Sequence, residues 1–187
     1  MATAPDIRAS VFIATSLDGF IARDNGGIDW LDQANGTVTP GEDCGYKAFI
    51  SSVDVLVMGR GSFEKVLTLG PWFYGELRVV VLSRTGVEIP EALAKSVSVS
   101  GEAPRALMER LAAEGARHVY VDGGLVIQSF LREGLIDEMI VTTIPVLIGS
   151  GKRLFGELPG DVWLSHRSTI AYSFGFVQSK YCVKRGG

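Results

Sequence analysis

Residues Val55 to Glu64 read VLVMGRGSFE. Four apolar residues run straight into Gly59-Arg60-Gly61-Ser62, and a helical pattern follows from Ser62 to Leu69, where Gly70-Pro71 stops it. A short unbroken apolar run closed by turn residues marks a strand buried on both faces. The same pattern recurs at Val79 to Leu82 before Ser83-Arg84, and at Val119 to Val121 before Asp122-Gly123-Gly124. A helix from Leu125 to Arg132, stopped by Gly134, follows the last of these, and another, Pro104 to Glu114, lies between the second and third strands. Strands alternating with helices predict a parallel sheet with helices packed on its faces.

Outward from this centre the pattern changes. Ser10 to Thr15 reads as a strand ending in the turn Ser16-Leu17-Asp18-Gly19. Thr39-Pro40-Gly41-Glu42 has the form of a capping box with proline at the first helical position, which predicts a helix through about Ser51. In the carboxyl third, Glu138 to Val146, Trp163 to Ala171 and Phe176 to Lys184 read as longer strands, the last two joined at Ser173-Phe174-Gly175 as a hairpin. The predicted fold is an α/β three-layer sandwich whose central mixed sheet is mostly parallel, with an antiparallel C-terminal hairpin. One domain is expected over residues 1–187, with 1–7 as a disordered tail.

Composition narrows the function classes. Of 187 residues 47% are hydrophobic and 21% charged, the balance of a soluble domain with its own core. A net charge of -3 without basic runs gives no footprint for nucleic acid. The start, MATAPDIRAS, carries no basic segment followed by an apolar run, and no stretch approaches a membrane span, so a cytoplasmic protein is expected. Cys44 and Cys182 stand far apart without a CxxC or Cys/His cluster, so neither a disulfide framework nor a metal site is expected.

Loops leaving the carboxyl ends of parallel strands gather along one edge of a sheet. The turns after Met58, Leu82 and Val121 therefore meet, and they carry ligand-ready groups. Gly59-Arg60-Gly61-Ser62 and Gly123-Gly124 open helices with free amides that suit an anion, while Ser83 and Arg84 add a hydroxyl and a second guanidinium. Amides for a pyrophosphate and a separate basic pocket for a 2′-phosphate fit NADPH better than NADH. No GxGxxG follows the first strand, so the usual dinucleotide fingerprint is absent.

SLDGFIA (Ser16 to Ala22), IDWL (Ile28 to Leu31), VLVMGRGSFE (Val55 to Glu64), VVVLSR (Val79 to Arg84) and the stretch from Tyr120 to Phe155 occur in an order that covers nearly the whole chain. Together they resemble the carboxyl-terminal reductase domain of the bifunctional riboflavin-biosynthesis deaminase/reductase and its stand-alone relatives, which share the dihydrofolate reductase fold. The resemblance implies an NADPH-dependent reductase that transfers hydride to a C=N or C=O group of a small heterocycle, pteridine- or pyrimidine-like. It implies that Gly59, Arg60, Gly61 and Ser62 meet cofactor phosphates. Leu82, Ser83 and Arg84 fall to the adenosine 2′-phosphate region, Asp122, Gly123, Gly124, Leu125, Val126 and Ile127 to the pyrophosphate, and Ala14, Ile21 and Asp24 to the nicotinamide. It implies a homodimer as well.

Aligning MGRGSF without gaps brings Asp43 onto the acidic position that supports proton transfer in dihydrofolate reductases. Asp43 is thus either the catalytic acid or a carboxylate favoured at a helix start by the dipole. Trp30 and Tyr46 are the accompanying substrate candidates, with Trp30 equally open to a packing role. Trp72-Phe73-Tyr74 either roofs the substrate pocket or covers the core. Phe20 stands where the riboflavin enzymes tend to carry a basic residue, and Lys47, Lys152 and Arg153 are the remaining loosely placed anchors for a ribose phosphate. His118 and His166 read as structural. A non-catalytic nucleotide- or flavin-binding module on the same fold is the alternative function.

Overall fold

The computed structural model describes residues 7–184. Ten strands and five α-helices follow one another as β1 (Arg8–Ser16), β2 (Phe20–Ala22), α1 (Asp29–Asn35), α2 (Tyr46–Ile50), β3 (Val55–Gly59), α3 (Arg60–Leu67), β4 (Arg78–Leu82), β5 (Val97–Ser100), α4 (Pro104–Ala113), β6 (His118–Asp122), α5 (Gly124–Arg132), β7 (Glu138–Ile144), β8 (Lys152–Arg153), β9 (Leu164–Ala171) and β10 (Val177–Val183). The main sheet has the order β5-β4-β3-β6-β1-β7-β10-β9. From β5 through β7 every neighbouring pair is parallel, and β10 joins β7 and β9 antiparallel. β2 and β8 form a separate antiparallel ribbon.

The apolar runs are buried because both faces of the sheet are covered. On one face Ala9, Val11, Val57, Val119 and Val121 pack with Leu107 and Leu111 of α4 and Ile127 and Phe130 of α5. On the other, Leu56, Met58, Val79, Val81 and Tyr120 meet Phe49 of α2 and Phe63 of α3. Each such large side chain contributes roughly 1.5–3 kcal/mol of burial free energy, so the two layers hold the strand ends in register. Of the expected 1–7 tail, residues 1–6 lie outside the described residues, whereas Ile7 is buried against the α4/α5 layer. Cys44 and Cys182 are free thiols, and among the described residues no helix is long and apolar enough to cross a membrane.

The capping box is a correction. Thr39 to Glu42 forms a turn, and the helix begins only at Tyr46. Gly41 and Gly45 take φ of 88° and 81° and Cys44 takes 53°, so the chain passes through left-handed conformations that no helix continues. The Glu42 carboxylate, instead of reaching back to Thr39, accepts the N–H groups of Asp43 and Cys44 at 3.0 and 2.7 Å. Sequence reading also left out α1, β5 and the β2/β8 ribbon, which are short and lean on neighbours rather than on a periodic pattern of their own. The hairpin turn stands at Ser173-Phe174-Gly175 as the sequence predicted, closed by Tyr172 and Phe176, with Gly175 at φ 98°.

Candidate cofactor site

β1 and β6 pair only over Arg8↔His118, Ala9↔Val119 and Ser10↔Tyr120. Beyond Ser10, β1 continues along β7 to Ser16↔Ile144, while β6 continues along β3 to Met58↔Asp122. The two strands therefore part, and a cleft opens at their carboxyl ends. The Arg8 N–H donates to the Arg117 carbonyl on the β6 side, and strand residues alternate, so Phe12 and Ala14 turn their backbone groups toward the cleft. The Tyr120 hydroxyl donates to the Phe12 carbonyl at 2.8 Å. Ala14 is the next residue to face the opening, with its side chain on the Trp30 side of the sheet.

Beside the cleft two helix amino termini converge. Gly123 has φ 88°, and a Cβ there would stand 2.5 Å from Ser62 Oγ and 3.8 Å from the Gly59 nitrogen. A Cβ on Gly59 would meet Val126 Cγ2 at 3.2 Å. Glycine is what lets α3 and α5 start this close together. Neither helix has a side-chain cap, so their first N–H groups are directed at the shared gap with the positive ends of both dipoles. Gly124 brings the cradle to the β2/β8 ribbon: its Cβ would lie 3.0 Å from both Ile21 Cδ1 and the Arg153 carbonyl.

Arg60, first residue of α3, bonds Glu64 through Nε at 2.6 Å and reaches across to Thr85 Oγ1 at 3.3 Å. This places its guanidinium over the loop that follows β4, beside exposed Arg84. Ser83 donates its hydroxyl to the Gly86 carbonyl at 2.8 Å and its N–H to the Ser100 carbonyl at 2.9 Å, which fixes that loop. Gly61 and Leu125 are exposed at the helix starts. Leu82, Val126 and Ile127 pack into the α4/α5 core, so only their backbone is available to a ligand. Asp24 lies on the loop after β2 and accepts the Ser150 hydroxyl at 3.1 Å.

Two acids behave differently. Asp43 precedes α2 and accepts the Gly45 and Lys47 N–H groups, each at 2.9 Å, with one oxygen apiece. These bonds hold its carboxyl below the ordinary range despite some opposing desolvation. Asp122 ends β6 on the same face as Tyr120, and burial pushes its carboxyl up to about 6, offset in part by the Gly123 amide. Burial, with the charge of Asp122 added, raises the phenols of Tyr46, to about 12, and of Tyr74 and Tyr120. The three phenols thus lie near enough to Asp122 to feel its charge, while the Tyr120 hydroxyl is bonded to the Phe12 carbonyl.

Tyr46 starts α2 and meets Phe12 edge-on at 5.5 Å. Trp72 and Tyr74 pack on the α3 side, 5.1 Å apart, while Phe73 points outward. Trp30 is buried with Ile144 and Phe176, its indole N–H without an acceptor. Sequence reasoning missed the raised proton affinity of Asp122 and the nearness of the Tyr74 phenol to its charge. The available signal was an aspartate ending the run Val119 to Val121 in place of one more apolar residue.

Among curated proteins, the chain is 36% identical over 161 residues to the uncharacterized protein YwjB of Bacillus subtilis (strain 168), covering 85% of this chain and 88% of that protein. Among solved structures, a candidate riboflavin biosynthesis protein from Shewanella sp. PV-4 superposes with a TM-score of 0.89 at 38% identity, over 96% of this chain and all of that one. Dihydrofolate reductase from Enterococcus faecalis, complexed with NADP(H), superposes with a TM-score of 0.59 at 15% identity over 97% and 98% of the two chains, a likeness of fold. The model of the RibD C-terminal domain matches residues 9–176, and with this α/β sheet and its dihydrofolate-reductase-like order the chain belongs to the RibD C-terminal domain family.

Proposed function

We propose that this protein is an NADPH-dependent reductase acting on a small heterocyclic C=N or C=O compound bound in the β1/β6 cleft. The observation that carries the reading is the meeting of two uncapped helix starts, at Gly59–Ser62 and Gly123–Gly124, beside a cleft between parallel strands. A Cβ at Gly123 would fill the gap between these helix starts, so the cradle fits the pyrophosphate of a dinucleotide. The amides of α3 and α5 hold that group, and Arg60 and Arg84 supply the charge for a 2′-phosphate, which the Ser83 hydroxyl joins by turning away from the Gly86 carbonyl. When bound, NADPH supplies the hydride. The chain's own work is to orient and to exclude water: Ala14 and Ile21 flank the cleft and the cradle, and the aromatic residues of α2 and the 72–74 loop wall it. Asp122, with a carboxyl that stays protonated to about pH 6, is the better proton source, and Asp43 serves α2 as a cap.

Calorimetric titration with NADPH and NADH tests the reading. Wild type should prefer NADPH. Arg60→Ala and Arg84→Ala should each lose roughly 1.5–3 kcal/mol of NADPH binding with little change for NADH. Equal or absent binding of both cofactors by the wild type would overturn it.

A homodimer belongs to the same proposal. Leu17, Leu147 and Trp163 are 63%, 68% and 67% exposed, and Phe155, Leu164 and Val177 are exposed as well. Several of them rim a cavity of about 300 Å³ floored by β1, β7 and β10 on the α5 side of the sheet. Nearly every residue of edge strand β9 is exposed. Apolar surface of this extent next to an open edge suits a second copy.

A further inference from the structure

Thr85 lies in the exposed loop after β4, outside the glycine turns. Its Oγ1 accepts a hydrogen bond from Arg60 Nη1 at 3.3 Å, a link from the start of α3 to the end of β4. Glu64, one turn along α3, holds the same guanidinium through Nε at 2.6 Å. A guanidinium carries five N–H donors in a planar fork. With Nε given to Glu64 and one Nη1 hydrogen to Thr85, the second Nη1 hydrogen and both on Nη2 have no partner among the described residues. Arg84, next to Thr85, has no ion-pair partner among them either.

Although Arg60, Arg84 and Thr85 are exposed, the loop that carries the last two is fixed from its root. The Ser83 N–H donates to the Ser100 carbonyl at 2.9 Å and its hydroxyl to the Gly86 carbonyl at 2.8 Å, while Gly86 turns the chain at φ 77°. A Cβ at Gly101 would stand 3.7 Å from the Ser83 carbonyl oxygen and 4.0 Å from Arg84 Cα, so the chain leaving β5 runs against this loop. The two hydroxyls of the loop therefore differ. Ser83 must release the Gly86 carbonyl before it can donate to a ligand. Thr85 gives up nothing: its oxygen accepts from Arg60, and its own proton has no acceptor among the described residues. A hydroxyl that accepts from a cation is polarised into a better donor.

We propose that Thr85 is a specificity-determining residue for the 2′-phosphate. Its oxygen holds the Arg60 guanidinium across the gap between α3 and the β4 loop, and its hydroxyl proton is donated to a phosphate monoester that Arg60 and Arg84 also hold. NADH presents an uncharged ribose hydroxyl at that place, so the arrangement favours NADPH. The role rests on the NADPH reading for the identity of the cofactor, while the Arg60–Thr85 bridge is a feature of the fold.

The test is a calorimetric titration of the full chain and of its Thr85→Val and Thr85→Ser variants with adenosine 2′,5′-bisphosphate, AMP, NADPH and NADH. Valine keeps the shape and loses the hydroxyl; serine keeps the hydroxyl. Thr85→Val should weaken the bisphosphate and NADPH about tenfold, the scale of one hydrogen bond to a charged group. AMP and NADH should bind it as they bind the wild type, which also reports that the exposed loop has kept its fold. Thr85→Ser should restore most of the loss. The proposal is overturned if Thr85→Val binds the bisphosphate as the wild type does, if it loses AMP and the bisphosphate alike, or if Thr85→Ser is as weak as Thr85→Val. A wild type that prefers NADPH while Thr85→Val changes nothing would leave the reductase reading standing. Bisphosphate binding that depends on Thr85, in a protein with equal affinity for NADPH and NADH, would keep the phosphate site and overturn the reductase reading alone.

Discussion

The hydroxyl of Tyr120 on β6 donates to the carbonyl of Phe12 on β1 at 2.8 Å, just past the last residue pair that joins the two strands. A side chain thus takes over from the backbone ladder where the sheet splits. The bond satisfies a carbonyl that the missing ladder would otherwise strand, and it sets where the cleft begins.

Tyr120→Phe leaves that carbonyl without its partner in a buried setting. Stability should fall by about 1–3 kcal/mol, the cost of an unmet buried polar group, read as a lower urea midpoint with an unchanged slope. NADPH affinity should fall with it, since the cleft wall at Phe12 is released.

Gly123→Ala places a methyl group 2.5 Å from Ser62 Oγ at a φ of 88°. The helix starts must separate or the backbone must shift, so NADPH binding should weaken at least tenfold, equivalent to about 1.4 kcal/mol. Gly61→Ala, with no atom within 4 Å of the added Cβ, should change binding far less. Equal losses in the two variants would contradict the close-approach argument.

Asp122 makes stability depend on pH. Its carboxyl titrates at about 6 in the fold against an ordinary value of 3.8, so the folded state holds the proton that the unfolded chain releases between those values. Stability is therefore lost as pH rises from about 4 to about 6 and is level above that, by up to about 3 kcal/mol from two pKa units. Asp122→Asn should abolish the slope. Unfolding midpoints at a series of pH values check this, as does the pH profile of NADPH oxidation once a substrate is in hand, which should fall above pH 6.

Asp43→Ala should act on α2 and leave proton transfer in place. Loss of its bonds to the Gly45 and Lys47 amides frays the short helix, which should appear as faster amide exchange through Phe49 and a lower Tm. A pH–rate profile unchanged from wild type would agree with the cap role, and loss of its acid limb would return the proton to Asp43.

Trp163→Glu and Leu17→Glu should yield a monomer of 20.1 kDa in sedimentation, against a dimer for the wild type. A monomeric wild type would remove the dimer from the proposal.

Sequence alone determined the strand-then-helix alternation from Val55 to Arg132, the antiparallel carboxyl end, and the glycine-rich turns proposed here to hold phosphate. These are local properties: apolar runs, turn residues and helix starts impose themselves within a few residues. Family membership was legible for the same reason, because its landmarks are these turns. Tertiary structure decided what depends on partners far along the chain. The start of α2 was set by left-handed backbone at Cys44 and Gly45, against a capping pattern that the letters of Thr39 to Glu42 offered. The difference between Asp43 and Asp122 is invisible in sequence, since both are aspartates next to glycine-containing turns. One accepts two backbone amides at a surface and stays charged; the other is buried near Tyr46, Tyr74 and Tyr120, brought from three separate elements, and holds its proton up to about pH 6. A carboxyl's affinity for a proton follows from its desolvation and its neighbours, and only the folded chain assembles those.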